Sequence, residues 1–185
     1  IPAKHRQLIR AFLDEADMSA DAIKTVDFPP ACGADIVVSC EKTKDPKNGS
    51  IYLKPTQFVL GVGCRRGTVF ENIDSAIRQS LLKLQIDISD IDMIASIDVK
   101  KDEPGIKDFC DRNRIEFVTY TADELMAVQG EFSASQFVKE HVGVDNVCER
   151  AAVLACSREC NKAGKLVYKK HKYDGVTVAA AKYPD

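Results

Sequence analysis

From Gln57 onward, short apolar runs alternate with stretches whose apolar residues recur at helical spacing, and this alternation constrains the fold most strongly. "FVLGVG" reads as a strand, and Phe70 to Leu84 as a helix with Ile73, Ile77, Leu81 and Leu84 on one face. "IDMIASI" and "IEFVTY" read as strands on either side of a helix from Pro104 to Asn113. A helix is expected from Asp123, and another from Val147 to Cys160. Finally, "KLVYKKH" and "GVTVAAAKY", separated by "KYD", read as a closing hairpin. Strands alternating with helices imply an α/β layer structure with a largely parallel sheet, and the hairpin makes that sheet mixed.

Residues 1–53 follow another pattern, so the chain is divided into 1–53 and 54–185. "KHRQLIRAFLDEAD" has helical spacing, and the pattern then breaks on Pro29, Pro30 and Gly33. "ADIVVSC" and "SIYLKP" read as two strands flanking a turn at Asn48-Gly49. The chain starts at Ile1, as expected of a trimmed protein or a piece of a longer one.

A net charge of −2 supplies no general attraction to nucleic acid or to anionic membranes, so a basic site must be local. No apolar run is long enough to span a bilayer, and a cytoplasmic location is expected. The seven cysteines lack CxxC pairs, which suits reduced thiols packed as small hydrophobes. Cys148, Cys156 and Cys160 share helical spacing, but no histidine stands at ligand spacing, so core packing is preferred to a metal site.

Chemistry concentrates in the connections that follow strands. "GVGCRRGT" (Gly61 to Thr68) carries three glycines and two arginines ahead of a helix. Thr68 and Glu71 have capping-box spacing, so Thr68 is the expected N-cap of a helix starting at Val69. Free N–H groups there, together with Arg65 and Arg66, would hold carboxylate or phosphate. The alternative is a glycine-rich turn with two solvated arginines. A dinucleotide fingerprint is matched only weakly, because Gly61, Gly63 and Gly67 are one residue too widely spaced and Asp98 lies too late, so nucleotide binding ranks third among the readings. The phosphate-loop pattern fails for want of Gly-Lys-Ser/Thr.

"DVKKDEPGI" follows the next strand. Asp102 is its expected N-cap and Pro104 lies in the first turn, which leaves Asp98 and Lys100 unexplained by helix initiation. Thr121 with Glu124 and Asn146 with Glu149 are two further capping boxes. Ser133 and Ser135 either bind an anion or cap a helix, and the lone His141 suggests no catalysis. Lys162, Lys165, Lys169, Lys170, His171 and Lys172 make the hairpin basic. That patch either protects a strand edge or complements an acidic ligand.

"GVGCRRGT", "SIDVKKDEPGI", "FSASQFVKEHVGVDNVCERAAVLA" and "LVYKKHKYDGVTVAAA", in that order, closely resemble the C-terminal domain of the cobalamin biosynthesis protein G (CbiG) family, which also stands alone as CobE. The resemblance runs from about Lys54 to Tyr183 and is most specific over Gly63 to Thr68. It implies a three-layer α/β/α domain acting on a corrinoid intermediate. It also implies that 1–53 is the tail of the family's middle region. The full-length family protein is a cobalt-precorrin-5A hydrolase that opens the ring-A δ-lactone and releases acetaldehyde.

On that resemblance, Gly63, Cys64, Arg65, Arg66, Gly67, Thr68, Lys100, Ser133 and Ser135 are the expected substrate-binding residues. Asp98 or Glu103 would be the general base. Cys64 is an alternative nucleophile whose thiol the arginines and a helix N-terminus should acidify. No cofactor is expected, since the cobalt belongs to the substrate, and other cobalamin-pathway enzymes are candidate partners. The rival reading is a non-catalytic corrinoid-binding or hand-over module.

Overall fold

The computed structural model describes residues 36–38, 51–53, 58–133, 144–160 and 162–183, which fall in two units, 1–56 and 57–185. In the first, Ile36–Val38 (β1) and Ile51–Leu53 (β2) pair in parallel with Ile36 opposite Ile51. A hairpin would have made them antiparallel. Parallel strands need a connection of about a dozen residues, and 39–50 have that length. The Asn48-Gly49 turn, the helix expected near the N-terminus, Cys32 and Cys40 lie outside the described residues.

The second unit follows the sequence reading closely. Phe58–Cys64 (β3) leads to Phe70–Leu84 (α1), Ile91–Ile97 (β4), Pro104–Asn113 (α2) and Glu116–Tyr120 (β5). Ala122–Ala127 (α3), Val147–Cys160 (α4), Lys165–Lys172 (β6) and Val176–Lys182 (β7) complete it. The sheet order is β5-β4-β3-β7-β6. β3, β4 and β5 are parallel, and the β6–β7 hairpin adds antiparallel pairing on β3.

Each face of the sheet carries its own core, which makes the unit three layers. Leu60, Val62 and Ile94 pack with Ile73, Ile77, Ile106 and Phe109 of α1 and α2. Val59, Met93 and Ala181 pack with Ala151, Ala152 and Cys156 of α4 on the opposite face. Every residue of β4 is buried, which explains its uninterrupted apolar character apart from Asp92 and Ser96.

Gly61 has a purely steric reason to be glycine. A Cβ there would lie 1.7 Å from the Cys148 carbonyl oxygen, so the backbone of α4 rests directly on β3. This contact anchors the N-terminus of α4 at the edge where the chemistry gathers.

Candidate ligand-binding site

β3 and β4 end at one edge of the sheet, and β7 starts there, because Cys64 pairs with Val176. In open parallel sheets, ligands bind beyond such carboxyl ends. The connections after β3 and β4, the β6–β7 hairpin and the N-terminus of α4 together enclose a cavity of about 430 Å³.

The arginine loop is built by local backbone bonds. The Arg65 N–H donates to Gly175 of the hairpin (3.0 Å), and the Thr68 hydroxyl donates back to the Arg65 carbonyl (2.8 Å). Gly67 has φ +74°, a left-handed conformation that favours glycine. Thr68 is therefore not the N-cap. Its hydroxyl closes the 65–68 turn, and α1 begins at Phe70 behind Val69, which makes no side-chain cap.

The connection after β4 starts with a short 3-10 helix, Asp98–Lys100. Glu103, not Asp102, occupies the N-cap position of α2, with Pro104 opening the helix. Asp102 is exposed and lies 3.7 Å from Lys107. Glu103 is buried, accepting the Gly67 N–H through Oε1 (2.5 Å) and the Lys100 ammonium through Oε2 (3.0 Å). Both of its oxygens are engaged in holding loops together.

On the far wall, Asn146 caps α4 by accepting the Glu149 N–H (3.0 Å). The Glu149 carboxylate points elsewhere and completes no reciprocal box. It is fully buried and accepts the Ser133 N–H (2.8 Å), the Ser133 hydroxyl (2.9 Å) and the Lys170 N–H (2.6 Å). Three donors compensate the cost of burying a charge there.

Among the described residues, four cations line the cavity, Arg65, Lys100, Lys170 and Lys172, and no carboxylate does. Ile97, Val99, Val147 and Val176 supply apolar wall. The Lys170 ammonium donates to the Ser133 carbonyl (3.2 Å). Among the described residues, no carboxylate pairs with Arg65 or Lys172. Such a crevice attracts anions with an apolar body.

Two thiols also line it, and neither is acidified. Burial pushes Cys64 up from its ordinary value, against a smaller lowering by Lys100. Burial pushes Cys148 up to about 12. The expected acidification of Cys64 does not occur, because loss of solvent outweighs the nearby positive charge.

Of the residues expected from sequence, Gly63, Cys64, Arg65 and Lys100 line the cavity. Arg66, Gly67, Thr68, Asp98, Glu103 and Ser133 do not, although Asp98 stands between Ile97 and Val99, which do. Ser135 and His141 lie outside the described residues. Asn146, Cys148, Tyr173 and Thr177 line the cavity without having been singled out as ligand contacts. Only the pairing of β7 with β3 brings Tyr173 and Thr177 there. Among the described residues, no group of three or more His, Cys, Asp or Glu is placed to hold a metal.

Residues 58–181 match the family described as "Cobalamin synthesis G C-terminus". The chain is 33% identical over 137 residues to a probable cobalt-precorrin-5A hydrolase of Methanocaldococcus jannaschii, covering 71% of this chain and 42% of that protein. It is 31% identical over 138 residues to the cobalt-precorrin-5A hydrolase of Priestia megaterium, covering 75% of this chain and 35% of that one. It thus spans less than half the length of these relatives. Among solved structures, CobE, a protein from the cobalamin biosynthetic pathway, superposes with a TM-score of 0.66 at 24% identity, covering 71% of this chain and 93% of CobE. That likeness establishes the fold.

Proposed function

The chain belongs to the cobalamin synthesis G C-terminus family, and from that premise we propose that residues 57–185 bind a cobalt-precorrin intermediate by the carboxylates along one edge of its macrocycle. The observation that carries this reading is the lining of the cavity by the described residues: four cations, apolar wall and no carboxylate. Corrinoid precursors bear acetate and propionate side chains around a broad apolar ring, and the lining is complementary to both. Ligand cavities run from roughly 300 to 1,000 Å³. One of about 430 Å³ suits a rim of the macrocycle better than the whole of it.

Arg65 and Lys172 carry the charge that no carboxylate of the described residues offsets. Charge-assisted hydrogen bonds to them would be strong, and screened by salt where exposed. Titration with cobalt-precorrin-5A should give an affinity that falls with salt. Arg65→Glu with Lys172→Glu should weaken binding by about a hundredfold, near tenfold for each charged contact. An unchanged titration curve for the folded double variant would remove this reading.

In the full-length protein, this unit would supply the binding part of a hydrolase that opens the ring-A lactone of cobalt-precorrin-5A with release of acetaldehyde. Asp98 is the general base of that scheme, since Glu103 is engaged on both oxygens. A non-catalytic hand-over module is the second reading. It is favoured by a cavity whose described lining residues include no carboxylate and two thiols of raised pKa.

A further inference from the structure

Glu103 is only 6% exposed and does not line the cavity, yet it touches both loops that do. Its backbone is fixed in the first turn of α2, with its N–H donated to the Lys100 carbonyl (3.0 Å) and its own carbonyl accepting from Lys107 (3.1 Å). A Cβ on the neighbouring Gly105 would lie 2.2 Å from the Thr68 carbonyl, so the start of α2 and the arginine loop are packed backbone to backbone. Oε1 on the Gly67 N–H and Oε2 on Lys100 then join the two loops through one carboxylate.

We propose that Glu103 is a positioning residue: it holds the Lys100 ammonium at the cavity wall and, through Gly67, sets Arg65 relative to it, so that two cations from different loops form a preformed carboxylate subsite. This rests on the binding reading above. A free lysine loses substantial rotamer entropy on engaging a ligand. Lys100, its side chain 14% exposed, has lost much of that freedom before the ligand arrives. An ammonium has three donors, so one can stay on Glu103 while the others meet a ligand carboxylate. The opposing effect is repulsion between Glu103 and that carboxylate. A ligand carboxylate that meets the free donors of Lys100 stands farther from Glu103 than from the ammonium, so the repulsion is the weaker of the two and the net pull stays favourable.

A double-mutant cycle tests this. Glu103→Gln keeps an oxygen for the Gly67 N–H and removes the charge that holds Lys100. Cobalt-precorrin-5A is titrated into the wild-type chain, Glu103→Gln, Lys100→Ala and the double variant. Glu103→Gln should weaken binding about tenfold in the wild-type background and less than about twofold when Lys100 is already alanine. An equal cost in both backgrounds, or tighter binding by Glu103→Gln, would overturn the proposal while leaving the binding reading intact. Loss of all titratable binding in the wild type would instead overturn that reading. The unliganded chain provides an independent arm, in which nitrogen-resolved NMR should find slow proton exchange at the Lys100 ammonium. Exchange as fast as at an exposed lysine sinks the positioning role whether or not Glu103→Gln folds.

Discussion

Cys64 stands beside two arginines just ahead of a helix, a setting in which sequence reasoning expects an acidified thiol. Burial decides the other way, because desolvation of the thiolate exceeds the help from Lys100. Since the thiolate is the species that alkylates, iodoacetamide should modify Cys64 more slowly than a free cysteine at pH 8. Its rate should climb only as pH passes the free-thiol range. A Cys64 rate equal to that of free cysteine at pH 8 would restore the nucleophile. Glu103 makes the same point for acids. Asp102 and Glu103 are neighbours of like charge, and the local pattern favoured Asp102 as the cap. Only the arginine loop packed against α2 draws Glu103 inward and leaves Asp102 in solvent.

Among the elements, caps show how far local sequence reaches. Thr121 and Glu124 form the full capping box, being close in sequence and exposed, and Glu124 caps through Oε2 while its Oε1 takes Arg158. Asn146 caps α4, but the Glu149 side chain is taken by Ser133 and Lys170, and Thr68 is taken by its own turn. Gly61 lets α4 lie on β3. Gly61→Ala should therefore cost about 3 kcal/mol or more, since backbone cannot yield as a side chain can. Gly63→Ala should cost much less, because its new Cβ meets the movable Thr177 hydroxyl at 2.7 Å. Denaturant midpoints of the two variants check this. A small loss for Gly61→Ala would mean that α4 is free to shift off the strand.

For the whole molecule, a unit that takes part in chemistry and one that only holds the ligand differ in what they require of Asp98. Asp98 begins the 3-10 turn at the end of β4, and helix initiation does not account for it. If it is the general base, Asp98→Asn in the full-length protein should spare affinity and cut acetaldehyde release by about 100-fold, the scale of a lost base. If the unit only binds, turnover at saturating substrate should be unchanged. Acetaldehyde release measured at saturation separates the two.

Among the described residues of 57–185, the order and type of the strands and α-helices were legible in the sequence, because apolar periodicity and turn residues act over a few neighbouring positions. So was the presence of cationic chemistry after β3, in "GCRRG". What only the tertiary structure decided is which charges face the cavity. Arg65 does and Arg66 does not; Lys170 and Lys172 join from a hairpin that reaches this edge because Cys64 pairs with Val176. Glu103 and Gly67 meet across 36 positions. Whether β1 and β2 run parallel was equally beyond local pattern. Each of these outcomes depends on packing between residues far apart in the chain, and no window of neighbouring residues encodes it.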